Sequence, residues 1–264
     1  MKIFRNSNVA LIIAMSLILA GCNSSSNVTQ KYNGASVENE ASKSIEDVHF
    51  RQQLEDNEIL YVKYQTTKGE FEAGTAFSIQ TDYSKEPILV TAHHLFGPAG
   101  GLDVQLNGNE ISKFVTGGEV FDMFSEKTSG TTIKENITIS DAKPSPDINK
   151  DIAAFKLNNA GNLKPFKVSD KPCKKGDKLY LLASLWNNDK VNENNIYSGK
   201  CKSDIDGVLY YELDKNFSTN GASGAPIVNE KGEVVGIHIG SDGNGLYVGN
   251  SATSFNDMIK KSFK

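Results

Sequence analysis

From Ile59 onward the chain sets its apolar residues in short runs, rich in branched and aromatic side chains and broken by Gly, Asn, Asp and Pro. That rhythm belongs to β-strands joined by turns. It predicts strands over Ile59 to Tyr64, Phe71 to Ile79 and Ile88 to Ala92, the first two joined by a polar hairpin turn from Gln65 to Glu70. Further strands are expected at Val104 to Leu106, Phe114 to Phe121, Ile133 to Ser140, Ile152 to Leu157, Lys178 to Leu185 and Asn195 to Cys201. The series continues through Val208 to Leu213, Ala225 to Val228, Val234 to Ile239 and Gly245 to Val248. Only the end changes period: Phe255, Met258, Ile259 and Phe263 recur at helical spacing, so Thr253 to Phe263 reads as an amphipathic closing helix. The class is all-β, of sandwich or barrel type. No internal repeat and no nucleotide-binding loop interrupts it.

The amino-terminal part follows other rules. Lys2 and Arg5 precede an apolar run from Val9 to Ala20 that is too short to span a bilayer and ends in small residues, the layout of a secretory signal. Leu19-Ala20-Gly21-Cys22 resembles the bacterial lipobox. The resemblance implies that residues 1–21 are removed, that the Cys22 thiol is lipid-modified, and that the mature protein is tethered to a membrane without crossing it. Asn23 replaces the aspartate that retains many such lipoproteins at the inner membrane, which favours the outer membrane if the source has one. Residues 22–47 are rich in Ser, Asn and Glu and poor in apolar side chains, so they read as a flexible tether. The folded domain is expected over residues 48–264, with its halves near 55–160 and 161–264.

A chain of 264 residues with 38% hydrophobic content can bury the core of one large domain or of two small ones in contact. The formal charge of −4 gives nucleic acid no foothold. Once Cys22 is lipidated, Cys173 and Cys201 are left as an even pair in an exported chain; a disulfide is expected, with two buried thiols as the alternative. Nothing in the spacing calls for a metal or other cofactor: the H-E-x-x-H pattern is absent, and His93-His94 has no carboxylate close by in sequence.

The chemistry-bearing stretch is Asn220-Gly221-Ala222-Ser223-Gly224-Ala225-Pro226. A serine between two glycines suits a nucleophile on a tight bend, where the backbone N–H groups of Gly221 and Ser223 are free to receive an oxyanion. It is no α/β-hydrolase elbow, because G-x-S-x-G needs a glycine where Ala225 stands. Two further features precede it. Thr91-Ala92-His93-His94 ends an apolar strand, and Asp151-Ile152-Ala153 opens another.

Histidine, aspartate and serine in that order resemble the chymotrypsin-like serine peptidases. Gly74-Thr75-Ala76-Phe77 resembles that family's glycine-bearing strand, Thr91 to His94 its Thr-Ala-Ala-His, Asp151 to Ala153 its Asp-Ile-Ala, and Gly221 to Pro226 its Gly-Asn-Ser-Gly-Ser-Pro. The likeness runs from about Ile59 to the end of the chain. It implies two six-stranded antiparallel β-barrels with a carboxy-terminal helix, and hydrolysis of protein or peptide substrates by a monomer. Ser223 would be the nucleophile, His94 its base and Asp151 the partner of the other ring nitrogen; His93 and Asp147 remain rivals for the last two roles. Ala222 stands where zymogen-activated members carry an aspartate, so activation through a new amino terminus is not expected.

Gly236-Ile237-His238-Ile239-Gly240 resembles the Gly-Ile-His segment of bacterial glutamyl endopeptidases, whose histidine helps receive a Glu side chain; some viral relatives use such a histidine for Gln. Strand alternation would set Val235, Ile237 and Ile239 on one face and Val234, Gly236, His238 and Gly240 on an open one. Ser218 matches the place of an assisting hydroxyl. A preference for Glu or Gln before the scissile bond follows, with a surface histidine as the plain alternative. No appended peptide-binding domain is expected after the closing helix. A catalytically inactive lipoprotein that keeps the barrels as a protein-binding module is the rival function.

Overall fold

The computed structural model describes residues 53–185, 195–216, 218–243 and 245–263. The leader, Cys22, the tether and the expected start of the domain at residue 48 lie outside the described residues. Eight strands make up the first half: β1 (Ile59–Thr66), β2 (Gly69–Phe71), β3 (Ala76–Gln80), β4 (Ile88–Thr91), β5 (Val115–Asp122), β6 (Thr128–Ile137), β7 (Ala153–Leu157) and β8 (Phe166–Lys167). Pairing runs β1-β5-β6-β7-β4-β3 and returns from β3 to β1, which closes a six-stranded antiparallel barrel. Outside the ring, β2 extends β1 as a hairpin and β8 runs parallel to β3. The second half contains β9 (Lys178–Leu182), β10 (Ile196–Ile205), β11 (Val208–Leu213), β12 (Pro226–Asn229), β13 (Val234–Ser241) and β14 (Tyr247–Ser251). They close in the order β10-β11-β14-β13-β12-β9.

The unbroken apolar runs have a geometric origin. Successive side chains of a strand point to opposite faces, and here both faces are covered. In β4, Leu89 enters the interior of the first barrel with Leu60, Val62, Tyr64 and Phe155, while Ile88 and Val90 turn to a second core. That second core also takes Tyr180, Leu182, Val228, Val234 and Ile237 from the other barrel. Phe255 and Ile259 of the closing helix α2 (Ala252–Lys261) complete it. A third cluster, including Leu181, Tyr197, Leu209, Tyr211 and Ile227, fills the second barrel. The barrels are thus welded by an apolar seam, and the site chemistry lies along its edge.

Several boundaries depart from the sequence expectation. The run from Phe71 to Ile79 is cut in two, because Gly74 takes φ +58° and turns the chain before β3. Val104 to Leu106 forms no strand; Gln105 Nε2 instead donates to the Phe96 carbonyl at 3.2 Å. A helix, α1 (Gly108–Phe114), stands where none was expected. Its start is a capping box in which the Asn107 side chain accepts from Asn109 and Glu110 N–H while Glu110 reaches back to the Asn107 N–H. In β13 a register shift leaves Val235 unpaired between Val234, opposite Val228, and Gly236, opposite Ile227. This bulge overturns the expected alternation: Val234 joins Ile237 and Ile239 in the inter-barrel core, and Val235 turns into the second barrel.

Candidate active site

Asp151 caps a short 3-10 turn, Ile148–Lys150, immediately before β7 rather than opening the strand itself. Its carboxylate is fully buried and fully engaged. Oδ2 accepts from His94 Nδ1–H at 2.8 Å and from Ser145 N–H at 2.9 Å, and Oδ1 accepts from the His94 backbone N–H at 2.9 Å. The last two bonds fix the carboxylate plane, and the first fixes the ring and leaves Nε2 as its free basic nitrogen. A contact from the second barrel, Asn250 Nδ2 to the Asp151 carbonyl at 3.4 Å, holds the turn from behind.

The rivals lie elsewhere. His93 is wholly buried and donates from Nε2 to the Leu106 carbonyl at 2.7 Å, pinning the loop after the 3-10 turn His93–Leu95; burial lowers its pKa. Asp147 is exposed and sits 3.8 Å from Lys143.

The serine turn is held against the strand that leads to His94 by one residue, Thr75. Its N–H donates to the Ser223 carbonyl at 2.9 Å, its hydroxyl donates to the Gly221 carbonyl at 2.9 Å, and its own carbonyl accepts from Thr91 Oγ1 at 2.7 Å. Gly221 and Gly224 adopt φ +93° and +87°, in the left-handed region. A Cβ on Gly224 would land on the Thr75 carbonyl and Thr91 Oγ1, so the close approach requires glycine. With the carbonyls of Gly221 and Ser223 committed to Thr75, their N–H groups donate to no protein acceptor among the described residues. Ala222 is completely buried.

His238 is no surface histidine: it borders the hollow beside Ser223 but is almost inaccessible. It is 1% accessible, in ring contact with Tyr211 and Tyr247, and its Nδ1 lies 2.7 Å from Tyr211 Oη. Gly236, expected to widen a wall, packs against Leu209 and Ile227 inside the barrel; only Gly240 faces open space. Tyr211 is fully buried and has no other acceptor for its hydroxyl proton among the described residues, so it donates to Nδ1 and the ring proton sits on Nε2. Burial, with a smaller contribution from His94, lowers the His238 pKa to about 3 and keeps the ring neutral. Nε2–H is therefore a buried donor without a partner.

A hollow of about 340 Å³ lies beside Ser223, walled by Gly221, Thr219, Asn220, His238, Gly240 and Ser241. Ser218 lines a neighbouring hollow of about 240 Å³ with Tyr247, and the two share Thr219, Asn220 and Ser241. No lysine or arginine lines either.

The profile of the trypsin-like peptidase domain family matches residues 74–237, from the glycine before Thr75 to the residue before His238. The chain belongs to this family. The trypsin-like peptidase is also similar in structure to the Rv3671c protease of M. tuberculosis in its inactive form, with 16% identity, a TM-score of 0.46, and 78% of this chain and 88% of that one covered. A serine endoprotease from Yersinia pestis matches with 15% identity and a TM-score of 0.51, over 78% of this chain and 63% of its own length. No curated protein sequence matches the chain. The trypsin-like peptidase is thus a chymotrypsin-like serine peptidase, and its substrates are proteins or peptides.

Cys173 and Cys201, expected as a disulfide, are brought side by side but stand as two thiols, one half-buried and one buried. Sequence reasoning missed Thr75, Ser145, Asn250 and Tyr211. The buried alternation of β11, with Leu209, Tyr211 and Leu213 inward, marks Tyr211 as core, but only the fold reveals its histidine partner.

Proposed function

We propose that this protein is a lipid-anchored serine endopeptidase that cleaves after glutamine in preference to glutamate. Ser223 attacks the scissile carbonyl, His94 Nε2 takes the hydroxyl proton and returns it to the leaving amine, and Asp151 orients and stabilises the imidazolium. The Gly221 and Ser223 amides receive the oxyanion. The observation that carries the reading is the Asp151 to His94 Nδ1 bond at 2.8 Å beside a serine turn whose two amides are unengaged.

Glutamine follows from His238. A neutral Nε2–H donor suits an amide oxygen, whereas a glutamate carboxylate would lose its hydration with no lysine or arginine in the walls to offset its charge. Acylated Cys22 and the tether would hold the domain at the outer membrane as a monomer, with the Ser218 hydroxyl assisting from the neighbouring hollow. Cys173 and Cys201 would join as a disulfide in that oxidising setting.

The test is labelling of the protein by a fluorophosphonate probe, beside Ser223→Ala and His94→Ala, followed by cleavage of a peptide library. Labelling that vanishes in the first variant and falls sharply in the second, with glutamine dominant before the cut, is expected. One observation favours the rival binding module: among the described residues no hydrogen bond joins Ser223 Oγ to His94, although such bonds often tighten only when substrate is bound. Absence of labelling in the folded protein would bring that rival forward.

A further inference from the structure

A hollow of about 510 Å³ also borders Gly221, and His238 is not among its walls. It shares Gly74, Ala99 and Gly221 with the pocket beside Ser223, and its remaining walls include Tyr61, Pro98 and Met123. Apart from Gly221 and Ser184, the walls belong to the first barrel and its loops, the half that also carries His94. Tyr61 is set rigidly: its ring stacks on Phe121 with centroids 5.1 Å apart and planes 16° apart. Met123 is partly buried against the inter-barrel core. The one charged group in the lining is the exposed Glu72, 3.8 Å from Lys63; every other lining side chain is uncharged, and the hollow presents a mainly apolar surface.

The position of this hollow gives its use, on the reading of Ser223 and His94 proposed above. A carbonyl oxygen held by the Gly221 and Ser223 amides fixes the scissile bond between the two hollows. The acyl half of the substrate takes the His238 side. The amine half must lie toward His94, which hands it a proton as the C–N bond breaks. We propose that the Tyr61 and Met123 hollow is a specificity pocket for the leaving half of the substrate, receiving a large apolar side chain, best an aromatic ring, directly after the scissile bond. Ring on ring and thioether on ring are the contacts its walls offer.

Acyl transfer to added amines measures this pocket alone. The acyl-enzyme is formed on the full-length protein from a peptide ester carrying the best acyl-side residue, and an amino acid amide competes with water for it. The amine nitrogen bonds to the acyl carbon, its proton passes to His94, and Ser223 Oγ departs and takes that proton back. Phenylalaninamide should capture the acyl group about tenfold more efficiently than glycinamide, the order expected from burying one ring. Tyr61→Ala, which removes the ring wall, and Met123→Trp, which fills the hollow, should each bring the ratio of the two amides close to one. Because the ratio is internal to each variant, a general loss of activity does not imitate the result. Equal capture of both amides by the wild type, a preference for lysinamide, or an aromatic preference that survives both substitutions would overturn the proposal. An ester that is not hydrolysed, with no fluorophosphonate labelling of Ser223, is a different result: it overturns the peptidase mechanism and the pocket with it.

Discussion

Replacing Tyr211 by phenylalanine removes one oxygen, 2.7 Å from His238 Nδ1, and keeps the ring that packs against Tyr247. In the wild type that hydroxyl holds the histidine in the tautomer with its proton on Nε2, the donor proposed for the substrate side chain. Without it, Nδ1 is a buried acceptor with no partner, which costs about 1–3 kcal/mol of stability. For a domain of this size that corresponds to a melting temperature lower by roughly 2–12 °C. The effect on specificity is separable. Once the tautomer is free, the donor to a glutamine side chain is lost for part of the population and misaligned for the rest. A hydrogen bond of this kind contributes about 0.5–1.5 kcal/mol, so the advantage of glutamine should shrink about 2- to 12-fold. The assay is the ratio of kcat/KM for two peptides identical except for glutamine or norleucine before the cut, with fluorophosphonate titration counting active sites. A Tyr211→Phe enzyme that titrates fully and keeps the wild-type ratio would refute the assignment of the Nε2 proton and the role given to His238.

Asp151→Asn should lower kcat by about 10³- to 10⁴-fold with little change in fold, because an amide accepts at one oxygen only and cannot serve both the His94 backbone N–H at Oδ1 and the His94 Nδ1–H and Ser145 N–H at Oδ2; stopped-flow labelling and circular dichroism together check this. Burial lowers the pKa of folded His238 to about 3 from its ordinary 6.5, so the unfolded chain binds a proton that the folded one refuses. Stability should therefore be complete above about pH 6.5 and fall, by about 1.4 kcal/mol per pH unit from this group, as the pH drops toward 3. Urea midpoints from pH 7 to 4 should show this slope in the wild type and a shallower one in His238→Gln. Cys173 and Cys201, matured under oxidising conditions, should give a protein two hydrogens lighter than the thiol form; reduction should cost about 3–4 kcal/mol, read by denaturation with and without reductant.

Much of the fold is legible because strands covered on both faces, such as β4 and β7, cannot be mistaken for surface. The helix α1 escaped because its period is too short to register; its capping box at Asn107 and Glu110 was the readable signal. The alternation around His238 failed for a different cause. A bulge at Val235 adds one residue to one strand alone, and nothing in Val234-Val235-Gly236 announces which residue loses its partner. At the site, Ser223, His94 and Asp151 stand in motifs with local chemistry, whereas Tyr211, Ser145 and Asn250 act through partners 27, 6 and 99 residues away. The two distant pairs leave no trace in spacing, and Ser145 acts through its backbone N–H, which no side chain announces.

The turn bearing Asp151 belongs to the first barrel, yet its ties run to the second: Asn250 to the Asp151 carbonyl, Ser254 to the Asn149 carbonyl, and Asn149 to the Asp206 carbonyl. Neither half of the molecule owns a complete set of reactive groups. With Ser223 on one half and His94 and Asp151 on the other, as proposed, a partly opened chain should be inert toward its neighbours and toward itself. On the proposed mechanism, hydrolytic power would arise only when the halves dock, so the same seam that gives the domain its cohesion would also act as a safety catch.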